Sequence, residues 1–351
     1  MTRIQKVAEL AGVSTATVSR ALAGKSTVSD STRARVVAAA KELGYVVSAS
    51  ASSLASGRTR NVGVVVPFLD RWFYSAVLKG AHGGLTDAGY DVTLYHLDTT
   101  EVDPGTGTEG TNPRRRRLFE EFLLRKRVDA LIAVTLELSD EELAELHAVG
   151  KPLVGLGGPL AGVPTLSIDD VEVSRLATEH LISLGHREIA HIGGDPVLDR
   201  DFHLGWRRRK GFEQALESAG IALEPRLLNS ADFTVAGGYR SAKELLGDPR
   251  TRPTAIFAGS DEMAMGAIMA ARDLGLRVPD DVSVIGIDGH DLADFYELTT
   301  VDQFAEEQGR LAAQTLLREL SPDGEHPAPQ NVALPFKLIV RGSTAAPPDR
   351  R

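Results

Sequence analysis

The chain has 351 residues, no cysteine and a net charge of −9, with 42 % apolar and 25 % charged residues. That composition is globular and long enough for two or three folding units, and it excludes disulfides, thiolate metal sites and thiol catalysis. No apolar run approaches the ~20 residues of a membrane-spanning helix, and the first residues lack the apolar stretch of a signal peptide. The expected compartment is therefore the cytoplasm, with no membrane partner.

Charge is unevenly spread. Residues 1–60 hold nine Lys and Arg against three Asp and Glu, a charge of +6, which leaves −15 for the remainder. A basic head on an acidic body is the asymmetry expected when one module meets phosphate and the rest repels it. Ile4, Val7, Ala8 and Ala11 recur at helical spacing, with Thr2 as a cap and Gly12 as a stop. Ser14 caps a second helix that buries Val18, Ala21 and Leu22 and ends at Gly24. A third runs from Ser29 through Val36, Val37, Ala40 and Leu43 to Gly44. Two short helices joined by a Gly-Val-Ser turn and followed by a third make a helix-turn-helix, whose second helix enters the major groove. Thr15, Ala16 and Arg20 fall on its exposed side. The Arg20 fork suits guanine O6 and N7, while Ala16 and the Thr15 methyl suit a thymine methyl. Lys25, Arg33 and Arg35 read as phosphate contacts, which fix register without reading sequence, or as solvated surface charges.

The stretch from Ile4 to Arg20, IQKVAELAGVSTATVSR, resembles the headpiece of the lactose/galactose repressor (LacI/GalR) family, as do Val28-Ser29 and Glu42-Leu43-Gly44-Tyr45. Thr17, inside that stretch, completes the candidate DNA contacts, and Ala23 stands where the family usually has Asn. Residues 48–60 are small and polar around Leu54 and read by themselves as a flexible linker. The resemblance implies a hinge helix that forms on DNA, with Leu54 wedging a minor-groove base step open. Serines at 48, 50 and 52 replace the family's usual Asn, Ala and Arg.

Beyond residue 60, apolar runs at 62–66, 91–96, 128–134, 153–156, 189–192, 255–258 and 282–287 alternate with helical patterns at 73–88, 141–149, 171–184, 206–219 and 263–274. Strand–helix alternation predicts parallel sheets covered on both faces, and a stretch this long predicts two lobes with a closable cleft at the C-terminal strand ends. The expected fold is α/β, a three-helix headpiece plus a two-lobed domain that the resemblance identifies as periplasmic-binding-protein-like. The expected domains are 1–47, a hinge at 48–60, the body at 61–341 and a tail at 342–351. By similarity the chain crosses between lobes near residues 161, 291 and 322.

The same resemblance, carried by Leu184-Gly185-His186-Arg187-Glu188-Ile189-Ala190, Gly259-Ser260-Asp261-Glu262-Met263-Ala264, the run from Leu276 to Asp288 and that from Leu298 to Gln303, marks Arg208 and Asp288 as effector contacts. An Arg fork and a carboxylate can grip vicinal hydroxyls from opposite sides. Phe73, Tyr74 and Phe233 fall where the family sets aromatics against the ligand, though core packing is the alternative. Arg208 also lies in Arg207-Arg208-Arg209-Lys210, which allows a solvated basic face. Ser260 replaces a frequent Asn, and Phe68, Arg71 and Trp72 replace Asp, Asn and Pro; Trp72 offers a stacking surface and Arg71 a partner for an anionic group.

Other motifs carry less. His186 reads as structural, since no nucleophile or ligand partner sits at informative spacing. The Gly105–Gly110 match to a dinucleotide fingerprint lacks the strand before it and reads as a surface loop, and the run from Arg114 to Arg117 opens a solvated helix. No catalytic residue, metal site or cofactor is expected. The predicted protein is a homodimeric transcription regulator that binds double-stranded, pseudo-palindromic operator DNA under control of a small molecule, with a sugar as the leading expectation. The alternative is the solute-binding protein of a sugar transporter. The tail has no apolar heptads, which argues against a helical tetramer bundle.

Overall fold

A computed structural model describes residues 3–23, 27–45, 58–97, 128–194, 202–321 and 331–349. The chain divides into two compact units, 1–60 and 61–351.

In the first unit, helices α1 (Arg3–Ala11), α2 (Thr15–Leu22) and α3 (Asp30–Glu42) follow the apolar spacing of the sequence. Ser14 Oγ accepts from the Thr17 N–H at 3.2 Å and Ser29 Oγ from the Thr32 N–H at 3.4 Å, so the expected cap Ser14, and Ser29 likewise, hold the first turns. Gly12 takes φ of +66°, the left-handed turn that ends α1 with only Gly12 and Val13 before the α2 cap. Val7, Ala8, Ala11, Val18, Ala21, Val36 and Ala40 interlock as the core. Leu22 is only partly buried against them. The expected cap Thr2 and stop Gly24 lie outside the described residues.

The second unit holds two six-stranded sheets. Strands β1 (Asn61–Val66), β2 (Asp91–His96), β3 (Ala130–Val134), β4 (Leu153–Leu156) and β5 (Thr165–Ser167) belong to the first. The second takes β6 (Ile189–Gly194), β7 (Leu228–Ala231), β8 (Ala255–Ala258), β9 (Ser283–Asp288) and β10 (Thr299–Asp302). Late strands β11 (Asn331–Ala333) and β12 (Lys337–Ile339) join the first and second sheets respectively, giving orders β11-β5-β4-β3-β1-β2 and β12-β10-β9-β8-β6-β7. Pairing is parallel throughout, with Val64 opposite Ile132, except for the antiparallel β10–β12 edge. Continuous apolar runs make sense in such a sheet because both faces are covered. Val62, Val64 and Val66 enter one core, and Val65 enters another with Leu131 and Leu146; Ile256 and Phe257 split the same way in the second lobe.

Helices α4 (Trp72–Asp87), α5 (Asp140–Val149), α6 (Asp170–Ser183), α7 (Leu204–Ser218), α8 (Val235–Leu246), α9 (Asp261–Asp273) and α10 (Ala305–Leu320) pack on these sheets. α4 and α10 lie together over the first lobe and touch backbone to backbone. A Cβ added at Gly80 would sit 1.8 Å from the Glu306 carbonyl oxygen, and one at Gly309 1.9 Å from that of Val77. Only glycine permits that approach.

The chain changes sheets between β5 and α6, between β10 and α10, and between β11 and β12. These crossings, near residues 168, 303 and 335, fall later than the expected 161, 291 and 322. The physical reason is that the short polar strands β5, β10 and β11 each finish their sheet before the chain leaves it. The expected tail also differs. Ser343 is 2 % exposed, its Oγ donating to the Val284 carbonyl at 2.6 Å, and the Ala345 N–H reaches Ser283 Oγ at 3.0 Å, so this segment is stitched into the second lobe. No helix among the described residues is long and apolar enough to cross a membrane.

Candidate effector cleft and nucleic-acid interface

On α2, the Ser14 cap starts the helix with its first turn turned outward. Thr15, Ala16 and Arg20 are exposed, Val18 and Ala21 are buried beneath them, and Thr17 is half-buried with its hydroxyl 2.9 Å from Ser14 Oγ. The outward set is the one a major groove would meet. Arg33 instead donates to the Val28 carbonyl at 3.5 Å and is half-buried, so it braces the turn before α3, whereas Arg35 is exposed. Lys25 and Leu54 lie outside the described residues, as do the Gly105–Gly110 and Arg114–Arg117 segments.

In the second unit, parallel strands bring their C-terminal ends to one edge of each sheet. On the second lobe this edge collects four of the six expected effector contacts. Arg208, on α7, is 4 % exposed, although Arg209 and Lys210 beside it are exposed, so the solvated-face alternative fails for this residue. Its Nε donates to Asp170 Oδ1 at 3.0 Å, and its NH1 donates to the Gly259 carbonyl. Asp170 opens α6, and the two helices come close through Gly211, where a Cβ would meet the Val171 carbonyl oxygen at 2.1 Å. Burial lifts the Asp170 carboxyl above its ordinary range, against the pull of Arg208.

Asp288 ends β9 with φ of +140°, a costly conformation for a side chain with a Cβ. Its Oδ1 accepts from Gln303 Nε2 at 2.6 Å and its Oδ2 faces the Asp261 N–H at 3.4 Å. Burial, and next the nearby Asp261, push its carboxyl well up, while Arg208 works in the opposite direction. Asp261 is itself lifted by burial to about 6, and its Oδ2 accepts from the His290 N–H at 2.8 Å. Ser260 is buried with its Oγ accepting from the Met263 N–H at 3.2 Å, so its lone pair serves the α9 cap. Phe233, at φ of +56°, lays its ring over Gly194, where a Cβ would lie 2.6 Å from it.

The first lobe supplies aromatics. Tyr74 OH accepts from Thr135 Oγ1 at 2.7 Å, and its ring lies 5.8 Å from Phe68 and 5.4 Å from Phe73. Phe73 is half-buried and leans on the core, so packing accounts for part of its surface.

The lobes also touch directly. Arg71 pairs with Asp70 at 2.8 Å and donates to the Asp232 carbonyl of the opposite lobe at 3.3 Å, so it is not the spare anion partner the sequence suggested. The Trp72 ring stacks on His290 at 4.7 Å, and the Trp72 backbone N–H donates to the Glu262 carboxylate. Arg71 caps α4 with no side-chain bond, and the other lobe supplies the missing acceptor. On the far margin the Phe202 N–H donates to Glu137 Oε2 at 3.3 Å.

Sequence reasoning missed Asp170, Gln303, Glu262 and His290. Asp169-Asp170 before a helix was the available signal: Asp169 Oδ1 takes the Val171 N–H at 3.0 Å, which leaves its neighbour for Arg208. His186 is structural as expected, with Nδ1 2.9 Å from Thr254 Oγ1 and Nε2 2.8 Å from the Ala345 carbonyl.

The chain matches the family model for bacterial regulatory proteins of the lacI family over residues 3–48 and that for a periplasmic binding protein-like domain over 178–344. It is 33 % identical to the HTH-type transcriptional regulator DegA of Bacillus subtilis, covering 98 % of each chain. It is 32 % identical to the HTH-type transcriptional repressor CytR of Escherichia coli, covering 98 % of this chain and 97 % of that one. Among solved structures, the lac repressor dimer bound to operator and the anti-inducer ONPF matches with a TM-score of 0.81 at 28 % identity over 97 % of this chain and 98 % of that one. A transcriptional regulator CelR–cellobiose complex matches with a TM-score of 0.69 at 32 % identity over 97 % and 99 %. With relatives of this kind over its whole length, the chain belongs to the lacI family and is a DNA-binding transcriptional regulator, not an enzyme.

Proposed function

We propose that the protein is a homodimeric repressor whose operator affinity is set by a sugar bound between the lobes of residues 61–341. The observation that carries this reading is the junction of Arg208, Asp288 and Phe233 at the strand ends of one lobe, with Tyr74 and Trp72 at those of the other. An Arg fork and a carboxylate suit vicinal hydroxyls, and an aromatic wall suits the C–H face of a pyranose. The cellobiose named for the CelR complex supports a saccharide.

Thr15, Ala16, Thr17 and Arg20 read the major groove, with Lys25 on phosphate and Leu54 in the minor groove. Two headpieces, each with its hinge at 48–60, meet a pseudo-palindrome. The solved relative on operator is a dimer, and a second copy would cover apolar surface that this chain leaves open, such as Phe295 at 84 % exposure. Ligand binding alters operator affinity only insofar as the two lobe arrangements bind it differently, and the coupling is reciprocal.

Selection of fragmented host DNA by the full-length protein, followed by sequencing, tests this. The expected result is one enriched pseudo-palindrome, with binding that weakens steeply as salt rises and vanishes without residues 1–59. Absence of enrichment at low salt, with and without added cell extract, would overturn it.

A further inference from the structure

We propose that His290 is an acid-operated latch between the two lobes: its neutral imidazole holds the ring of Trp72, and a proton on that imidazole releases it. Trp72 opens α4 on the first lobe, and His290 follows β9 on the second. Their rings stack 4.7 Å apart at 25°. The local bonds also fix where the imidazole keeps its hydrogen. Nδ1 accepts the Leu292 N–H at 2.9 Å, so the neutral ring carries its hydrogen on Nε2. A second proton has to enter at Nδ1, where it meets the Leu292 N–H head-on and ends that bond. The turn that the Ala293 N–H closes on the His290 carbonyl at 2.8 Å then loses its inner tie. The His290 backbone is anchored, its N–H donating to Asp261 Oδ2 at 2.8 Å, so the ring is what gives.

Charge around the stack acts both ways. Burial presses the His290 pKa below its ordinary value, and Asp291 works against that. From the first lobe come Asp70, Arg71 and Lys79, but Arg71 is paired with Asp70 and Lys79 with Glu306 of α10. Asp261 and Glu262 open α9 and accept the backbone N–H groups of His290 and Trp72. Asp288 accepts from Gln303, and Asp302 from the Phe304 N–H. The indole face attracts a positive ring. Burial still prevails, so the stacked form binds a proton less readily than a solvated imidazole does. Linkage sets the sign: the stack is favoured above the ordinary histidine value of about 6.5 and weakens as pH falls below it. The latch acts on the contact between lobes, whatever the effector. Any ligand whose affinity depends on the lobe arrangement feels it.

The chain has two tryptophans, so Trp206→Phe leaves Trp72 as the sole indole reporter. The full-length variant is titrated from pH 8 to pH 5 at fixed salt, with emission and small-angle scattering followed together. The expected result is a red shift with one midpoint below about 6.5 and a radius that rises over the same range. His290→Gln in that background has no proton to gain and should flatten both curves. Asp261 and Glu262, which burial lifts, stay in place there, so a transition that persists belongs to them and overturns the latch. Asp291→Asn removes an exposed neighbour and should lower the midpoint by about half a pH unit. A midpoint that stays in place would overturn the proposal, as would flat emission with His290 present.

Discussion

The wall that the second lobe gives to the cleft is made of buried polar groups: Arg208 paired with Asp170, and Asp288 hydrogen-bonded to Gln303. The wall from the first lobe is made of half-buried rings, Phe68, Phe73 and Tyr74, with a hydrogen bond from Thr135 to the Tyr74 hydroxyl. The contrast separates two duties. A buried ion pair has one good geometry and is ruinous to break, so it fixes the position and polarity of whatever binds. Aromatic surface tolerates sliding, so it can close over ligands of differing outline. The direct bridges, Arg71 to Asp232 and Trp72 to His290, join the two walls.

The contrast breaks most visibly at Arg208. Arg208→Ala leaves Asp170 as a buried unpaired carboxylate and should lower stability in urea by about 3–5 kcal/mol. The double variant Arg208→Met with Asp170→Asn should recover most of that loss. If Arg208→Ala unfolds no earlier than wild type, the second wall is not the rigid one.

The next effect lies deeper in the same lobe. His191 is fully buried between the Phe212 and Phe257 rings, with Nδ1–H donating to the Phe257 carbonyl at 3.1 Å, and burial pushes its pKa down to about 4. The unfolded chain binds that proton near 6.5 and the folded one near 4, so stability is full above 6.5 and falls as pH drops between them. The loss should reach about 3 kcal/mol at pH 4, and His191→Gln should remove most of this slope in urea titrations across that range.

On the first wall effects should be small. Tyr74→Phe deletes the acceptor for Thr135 and should cost about 1 kcal/mol, with effector affinity lowered through wall geometry alone. Smallest is Arg71→Ala, which removes an ion pair with a mostly exposed partner and one bridging bond. It should change urea stability by under about 1 kcal/mol yet expand the ligand-free protein in small-angle scattering. A large stability loss there would place the rigid element on the wrong wall.

Legibility followed the same physics. Continuous apolar runs announced β1, β4, β8 and β9, because strands covered on both faces need little else. β5, β7 and β10, reading TLS, LNSA and TTVD, are short and partly polar and take their structure from neighbours, so no apolar run announced them. α8 hid behind Gly237-Gly238 near its start, where glycine serves close packing against Met263. At the site, Arg208 and Asp288 were visible through family resemblance. Asp170 was not, because its partner is 38 residues away and meets it only once α6 and α7 pack through Gly211.

The most direct test couples cleft to headpiece. Operator affinity would be titrated with a bound saccharide in the wild type and in the Arg208→Met, Asp170→Asn double variant. The account predicts that the wild type changes its operator affinity at least about tenfold, while the variant keeps its ligand-free affinity and loses the response. A variant that responds like the wild type would contradict a cleft built on Arg208.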